Sequence, residues 1–254
     1  MFGFFLIGKN VTFSFSNLIY CFLFKKFISL NLLIYKKLNL SFRNIFRGFL
    51  SFFSIGFSLL NVTFPYKENY LFICNFLCTN SYFLNSTNLI INKNSLFLGF
   101  NTDGIGFLKF FKNVINKKNK SIYKNILLVG LGGSSKSILF NILNNINPCI
   151  VYIYNRNILK IKHFINKFSF LNVYYLNSFI NYSKYLIFIN TIPNFSFYQL
   201  FNKFNSISIN YKDLYYIYKL NGLKMLYYQA IYTFKNFIYF NFVQNIFIFN
   251  KQII

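Results

Sequence analysis

Three short polar segments interrupt an otherwise apolar stretch of about a hundred residues at the start of the chain. They cover residues 8–17, 61–67 and 99–107, and each is predicted to fall at a strand end or a turn. Lys67 carries three donors on a flexible stem, which suits proton transfer or electrostatic stabilisation of an oxyanion. Asp103 could share hydrogen bonds with Lys67 and with a substrate hydroxyl. For a Lys and an Asp taken alone, a structural salt bridge is the simpler explanation.

Two hydroxyls, Ser14 and Ser16, precede a run at 18–24 whose pattern is helical. Hydroxyls at a helix entry can cap the helix. They can also bind a carboxylate together with the free N–H groups of the first turn. The residues alone leave both interpretations open.

An apolar strand, a glycine turn, a helix and a second strand follow one another between Asn125 and Arg156. Their predicted bounds are 126–129 for the strand, 130–133 for the turn, 134 to about 145 for the helix and 150–154 for the second strand. Glycines let the backbone approach a pyrophosphate, whose charge then lies at the positive end of the helix. Ser135 replaces the third glycine of the usual motif. With both flanks present, a dinucleotide-binding βαβ unit is favoured over a purely structural turn.

The end of the second strand predicts which dinucleotide is bound. An NAD-binding unit places Asp or Glu there, whereas this chain offers Asn155, Arg156 and, one turn later, Lys160. A cation at that place suits a 2′-phosphate. NADP is therefore the predicted cofactor.

Length and composition predict two domains and argue against several other classes. The chain has 254 residues, a formal charge of +24, 39 Phe, 21 Tyr and only three acidic residues. This composition is typical of a gene whose codons have become rich in A and T. The positive charge therefore need not indicate a nucleic-acid partner. No helix-turn-helix, zinc-finger or RNA-binding strand motif is recognisable. We expect only non-specific binding to anions at low salt.

A membrane protein is the rival class that composition suggests. Mean hydropathy is +0.41, and residues 48–66 and 70–92 carry no charge. Each of these two stretches is long enough to span a bilayer as a helix. The two stretches contain several Asn, Ser, Gly and Pro residues, which favours buried strands and helices of a globular domain over membrane-spanning helices. The first eight residues lack the basic start of a secretory signal. A cytoplasmic protein is therefore expected.

The cysteines and the single histidine predict neither disulfides nor a metal site. Cys21, Cys74, Cys78 and Cys149 are too few for a disulfide scaffold and are expected to be reduced core residues. Cys74 and Cys78 could share a helix face, but zinc would need two further ligands. His163 is expected to be a partly exposed helix residue.

Several motifs, in order, resemble those of the shikimate dehydrogenase family. That family's Asn-Val-Thr-x-Pro-x-Lys is matched at 61–67, and its Gly-x-Asn-Thr-Asp-Gly-x-Gly at 99–106. The glycine turn and Asn155-Arg156 follow in the family's order. Residues 221–230 are similar to its Gly-Leu-x-Met-Leu-x-x-Gln-Ala. With the serine segment these make six blocks, which extend over almost the whole chain.

The resemblance implies a role for each matched residue. Lys67 and Asp103 would form the catalytic pair. The implied substrate-binding residues are Ser14, Ser16, Thr63, Asn88, Asp103, Tyr211 and Gln229, with Tyr216 as the alternative to Tyr211. The implied cofactor-binding residues are Gly130, Leu131, Gly132, Gly133, Ser134, Asn155, Arg156, Asn157, Lys160, Ile209 and Gly222. Phe13 and Asn17 stand where the family has His and Pro, and the connection to Gly222 is shorter than the family's.

The implied architecture is α/β with two domains. Residues 1–103 would form a substrate-binding catalytic domain, 104–221 a Rossmann-type NADP-binding domain, and 222–254 a helical segment that returns to the first domain. The active site is expected in the cleft between the domains, with Gly104 and Gly106 as a hinge.

The implied activity is the NADPH-dependent, reversible reduction of 3-dehydroshikimate to shikimate in aromatic amino acid (chorismate) biosynthesis. A monomer or homodimer acting on a small molecule is expected, with no specific nucleic-acid partner. Two alternatives stay open: a membrane-associated protein without catalysis, and a degenerate NADP-binding protein of the same fold.

Overall fold

Strands and helices alternate along most of the chain, which confirms the predicted α/β class. The computed structural model describes residues 2–25, 32–115, 125–146, 150–168, 172–176, 186–192, 205–208, 222–242 and 249–250. Two compact units form, Met1–Thr102 with Gln229–Ile254, and Asp103–Tyr228.

The first unit is built on a seven-stranded mixed sheet. Its strands are β1 Phe2–Gly8, β2 Leu33–Asn39, β3 Leu59–Val62, β4 Phe76–Leu77, β5 Leu89–Lys93, β6 Leu96–Phe100 and β12 Phe249–Asn250, and their order in the sheet is β12-β4-β6-β5-β3-β1-β2. Its helices are α1 Ser16–Leu23, α2 Ile45–Ser54 and α3 Thr79–Leu84, with short 3-10 helices at Phe42–Asn44 and Asn69–Ile73. Strands β1, β2 and β3 run parallel, whereas β5 is antiparallel to both β3 and β6.

Aromatic side chains fill the core on both faces of this sheet. Successive residues of a strand point to opposite faces, so Phe4 packs in one core cluster and Phe5 in the other. Phe4 makes an edge-to-face contact with Phe237 at a centroid distance of 4.8 Å. Burial on both faces explains why β1 is an uninterrupted apolar run.

The second unit contains a five-stranded sheet. Its strands are β7 Asn125–Val129, β8 Ile150–Tyr154, β9 Val173–Tyr175, β10 Leu186–Asn190 and β11 Asn205–Ser208. Their order is β11-β10-β7-β8-β9, and all neighbouring strands run parallel. Its helices are α4 Asp103–Ile115, α5 Gly133–Ile146 and α6 Ile158–Phe168. β8 has the predicted bounds, β7 begins one residue earlier than predicted, and α5 extends one residue beyond the prediction at each end.

Helix α7, Gly222–Phe242, begins within the second unit and continues into the first. The division between the units falls inside this helix, after Tyr228. The functional domains at 1–103, 104–221 and 222–254 stay a prediction. Within the described ranges, no helix combines the length and hydropathy that a membrane crossing requires.

Two predictions about the cysteines are wrong. Cys21 is exposed, because α1 turns Ser16, Tyr20 and Phe24 toward the core and the residue after Tyr20 lies about 100° around the helix. Cys74 and Cys78 do not share a helix, since β4 separates them. Cys149 lies outside the described residues.

His163 is exposed on α6, as predicted. Among the described His, Cys, Asp and Glu side chains, no group of three or more could hold a metal ion.

Candidate functional site

Four of the predicted substrate residues belong to segments that meet at one edge of the first sheet. The parallel strands β1 and β3 both end at this edge, and β5 begins there because it runs antiparallel to β3. Ser14 and Ser16 follow β1, Thr63 follows β3 and Asn88 precedes β5. We call the part of the edge formed by these four residues the polar edge.

The two serines of the polar edge are hydrogen-bonded to each other. Their Oγ atoms lie 2.7 Å apart, and Ser14 Oγ also accepts the backbone N–H of Ser16 at 3.2 Å. Helix α1 begins at Ser16, so Ser14 satisfies one free N–H of its first turn. A carboxylate could still accept from hydroxyls and first-turn N–H groups together. Both interpretations of this pair therefore fit the geometry.

Side chains of β2 support the loop that carries the serines. Lys37 Nζ donates to the carbonyl oxygens of Thr12, at 2.6 Å, and Ser14, at 3.2 Å. Asn39 Oδ1 accepts the backbone N–H of Val11 at 2.7 Å. Neither residue was predicted from the sequence. The only available signal was their spacing of two, which places them on the same face of a strand.

The segment from Thr63 to Lys67 is held by backbone contacts on two sides. The backbone N–H of Thr63 donates to Ile7 O at 2.9 Å, and that of Thr87 donates to Lys67 O at 2.9 Å. Gly8 packs so closely here that a Cβ would lie 2.4 Å from Thr63 Cγ2. Lys67 is half-buried. Its backbone is thereby tied to the segment that leads into Asn88.

Asn88 is fixed by a two-way contact with Thr102. Its Nδ2 donates to Thr102 Oγ1 at 3.0 Å, and its Oδ1 accepts the backbone N–H of Thr102 at 2.8 Å. Asn88 is only 1% exposed. Asp103, the next residue after Thr102, is equally buried and begins α4.

Polar groups without a predicted role are buried behind the polar edge. Tyr20 Oη donates to Asn61 Oδ1 at 3.2 Å. Burial raises the pKa of Tyr20 to about 12, although its contacts with Thr233 and Asn61 partly offset the rise. Asn61 Nδ2 and Tyr35 Oη are both enclosed, without a hydrogen-bond partner among the described residues.

Gln229 lies on α7, one turn before Thr233, so both side chains are on the same helix face. Its Oε1 is enclosed and accepts no hydrogen bond within the described part of the chain. An unsatisfied buried acceptor is costly, which a ligand donor would relieve. Tyr211, Tyr216 and Ile209 lie outside the described residues.

The glycine turn of the second unit has the geometry expected of a phosphate-binding loop. Gly130 has φ +96, and a Cβ there would lie 2.6 Å from Thr191 Oγ1. Ser135 Oγ accepts the backbone N–H of Gly132 at 2.9 Å and lies 2.9 Å from Thr191 Oγ1. Ser135, the residue that replaced a motif glycine, therefore links the turn to the end of β10.

The remaining cofactor candidates of this turn lie at the start of α5. Leu131 is buried, whereas Gly133 and Ser134 are half-buried. Gly133 is the first residue of α5, so the free N–H groups of the helix are at the turn.

The end of β8 presents cations to solvent. Arg156 is exposed and Lys160 is half-buried. Asn157 precedes α6 and its Oδ1 accepts the backbone N–H of Lys160 at 3.0 Å, as an N-terminal cap does. Asn155 Nδ2 donates to Asn157 O at 3.2 Å. The asparagines therefore order this turn, and Arg156 stays available to pair with an anion. Gly222, the last cofactor candidate, is the buried first residue of α7.

Taken separately, the two units suit different ligands. The polar edge offers hydroxyls and an amide, and Lys67 lies four residues after Thr63 in the same segment. These groups fit a hydroxylated carboxylate. The turn before α5 offers backbone N–H groups and a helix N-terminus, and Arg156 follows the end of β8. These groups fit the phosphates of a dinucleotide.

The chain is similar to curated proteins named shikimate dehydrogenase (NADP(+)), although no protein-family model matches it. The protein from Blochmanniella pennsylvanica is 39% identical over 117 residues, which cover 42% of this chain and 40% of that relative. The match therefore spans less than half of that relative's length. The protein from Methanococcus vannielii is 28% identical over 227 residues, which cover 78% of this chain and 77% of the relative.

Solved structures share the fold. A shikimate dehydrogenase from Aquifex aeolicus has a TM-score of 0.78 at 24% identity, covering 93% of this chain and 92% of its own. A shikimate 5-dehydrogenase from Thermus thermophilus, in complex with NADP(H) and shikimate, has a TM-score of 0.75 at 19% identity, covering 93% of each chain. The curated relatives and the solved structures therefore agree in what this chain is similar to: shikimate dehydrogenases in sequence, and the two-domain fold of those enzymes in structure.

Proposed function

We propose that this protein is an NADP-dependent shikimate dehydrogenase that interconverts 3-dehydroshikimate and shikimate, within aromatic amino acid (chorismate) biosynthesis. One observation carries the proposal. The sheet of the first unit gathers Ser14, Ser16, Thr63 and Asn88 at its polar edge, although up to 74 positions of sequence separate them. The family likeness gives these residues a common ligand.

The substrate is held through its carboxylate and its hydroxyls. Ser14 and Ser16 bind the carboxylate, to which the first-turn N–H groups of α1 also contribute. Thr63, Asn88 and Gln229 contact ring hydroxyls or the carboxylate. The enclosed acceptor of Gln229 suits a hydroxyl donor. Tyr211, with Tyr216 as the alternative, completes the set through the family resemblance.

The cofactor is held by the second unit. The backbone of Gly130 to Ser134 and the start of α5 bind the pyrophosphate, and Arg156, with Lys160, pairs with the 2′-phosphate. Ile209 lies beside the nicotinamide in this proposal, and Gly222 also binds the cofactor. NADPH, when bound, supplies the hydride that reduces the substrate ketone.

Lys67 and Asp103 carry the proton chemistry. Hydride transfer to a ketone leaves a developing alkoxide, which an ammonium group can stabilise and protonate. Lys67 supplies that proton from Nζ. Asp103 orients Lys67 and accepts a hydrogen bond from a substrate hydroxyl. Residues 1–103 act as the substrate domain and 104–221 as the cofactor domain in a cytoplasmic monomer or homodimer.

The test is an assay of the purified full chain with shikimate and NADP, followed by the absorbance of the reduced nicotinamide. We expect reduced cofactor only when both are present. Parallel reactions with NAD and with quinate measure the specificity for each partner. Folded protein that binds NADP but forms no reduced cofactor would contradict the proposal and indicate a cofactor-binding protein without turnover.

A further inference from the structure

A line of polar side chains, most of them buried, runs behind the polar edge, entirely within the first unit. At one end, Ser14 Oγ lies 2.7 Å from Ser16 Oγ. In the middle, Tyr20 Oη donates to Asn61 Oδ1 at 3.2 Å. The line therefore starts at the serines proposed to hold the carboxylate and leads to Tyr20.

Tyr35 lies beside both Ser16 and Asn61. Its ring stacks on that of Tyr20, with centroids 4.7 Å apart and planes 20° apart. Burial and the neighbouring Tyr20 raise the pKa of Tyr35, while the adjacent Ser16 and Asn61 partly offset the rise. Tyr35 Oη has no partner within hydrogen-bonding geometry among the described residues, so it lies beside these two side chains without bonding to either.

The other end of the line reaches Asn88. Thr233, on α7, lies beside Tyr20 and partly offsets the rise in its pKa. Thr233 Oγ1 is 3.4 Å from Thr102 Oγ1, and Thr102 makes the two-way contact with Asn88. Tyr20 therefore lies between the serine end and the asparagine end of the polar edge.

The Tyr20 hydroxyl also determines the orientation of the Asn61 amide. With a pKa of about 12, the hydroxyl stays protonated at neutral pH and can donate. Asn61 Oδ1 therefore faces Tyr20, and its Nδ2 faces away, where it has no partner in the described part of the structure.

Packing alone does not require a hydroxyl at this position. Phe4 and Phe24 fill the same core cluster, and both contact Tyr20 through their rings. A Phe would fill the same volume as Tyr20, and it would avoid burying a polar atom.

We infer that Tyr20 is a positioning residue of the substrate site. Its hydroxyl fixes the Asn61 amide, and its ring stacks on that of Tyr35. Thr233, which bonds to Thr102, is the neighbour through which Tyr20 supports Asn88. This inference rests on the proposed function, because the polar edge must be the substrate site for the line behind it to matter.

The test compares Tyr20→Phe with Tyr70→Phe. Tyr70 is also a buried tyrosine of the first unit, its Oη donates to Ile45 O at 3.2 Å, and it lies in the other core cluster. Both variants lose one buried hydroxyl. We expect Tyr20→Phe to raise the KM and the calorimetric Kd for shikimate by about tenfold, with a much smaller change in kcat. Tyr70→Phe should leave both constants unchanged, and neither variant should alter the Kd for NADP.

Equal shikimate constants in the two variants would overturn the inference. If Tyr20→Phe fails to fold, Thr233→Val removes the neighbouring hydroxyl instead and should also raise the KM. If the wild type binds shikimate without oxidising it, the proposed function is contradicted but the role of Tyr20 is not. The shikimate Kd values of the two variants still decide that role. A wild type that does not bind shikimate would contradict both.

Discussion

Replacing Gly104 by Ala should destabilise the second unit, because this glycine allows α4 to pack closely on α5. A Cβ at Gly104 would lie 2.2 Å from Ser137 O and 2.6 Å from Ser137 C, whereas ordinary contact begins at 3.4 Å. A side-chain atom, Asn141 Nδ2, would also lie 2.3 Å away. Because the Ser137 atoms are backbone and cannot rotate aside, the helices must separate by about 1.2 Å. That shift would also stretch the 2.9 Å hydrogen bond from Gly104 N–H to Ser137 Oγ.

Overpacking of this kind costs typically about 1–3 kcal/mol, and the better helix propensity of Ala returns at most about 1 kcal/mol. We therefore expect Gly104→Ala to lower the free energy of unfolding by about 2 kcal/mol, measured by urea titration of the circular dichroism signal. Gly132→Ala is the matched control. The nearest atom to its Cβ would be Ser135 Oγ at 4.0 Å, so its stability should change by less than about 0.5 kcal/mol. Equal stabilities of the two variants would refute the close-packing role of Gly104.

Three further predictions concern the cofactor, the serine loop and alkaline stability. Arg156→Asp should weaken NADP binding much more than NAD binding, because it replaces a phosphate-pairing cation with a like charge; equal losses in titrations with the two cofactors would refute that role. Lys37→Met removes the donor to Thr12 O and Ser14 O, so the KM for shikimate should rise severalfold at nearly constant kcat. An unchanged KM would show that the serine loop keeps its conformation without Lys37. Burial raises the pKa of Tyr20 from 10.0 to about 12, so this tyrosine ionises in the unfolded chain at a lower pH than in the folded protein. Between pH 10 and about 12, its contribution should lower the free energy of unfolding by about 1.4 kcal/mol per pH unit. Urea titrations in that pH range should show a shallower loss in Tyr20→Phe, and identical slopes would contradict the assignment.

The βαβ unit of the second sheet was predictable because its signals are local. Apolar runs mark β7 and β8, and a glycine turn separates the first run from α5, so the bounds agree within one residue. The exposed Arg156 at the end of β8 follows from the same local pattern.

The line of polar side chains behind the polar edge was not predictable, since it depends on tertiary packing. Thr233 and Thr102 are 131 positions apart in sequence, and no local pattern pairs them. Tyr20 resembles any core aromatic residue until its hydroxyl is seen to donate to Asn61. The packing role of Gly104 was also missed, because its sequence context suggested a hinge. That hinge stays a prediction.

The most direct test of the proposed activity measures shikimate oxidation by NADP in the wild type, Lys67→Ala and Asp103→Asn side by side. We predict turnover in the wild type, a kcat lowered by about a hundredfold or more in Lys67→Ala with little change in substrate affinity, and a lowered kcat with a larger rise in KM in Asp103→Asn. Melting temperatures of the folded variants should barely change. Near-normal turnover together with lowered melting temperatures in both variants would instead show a structural ion pair, and would leave the proposed mechanism without its proton donor.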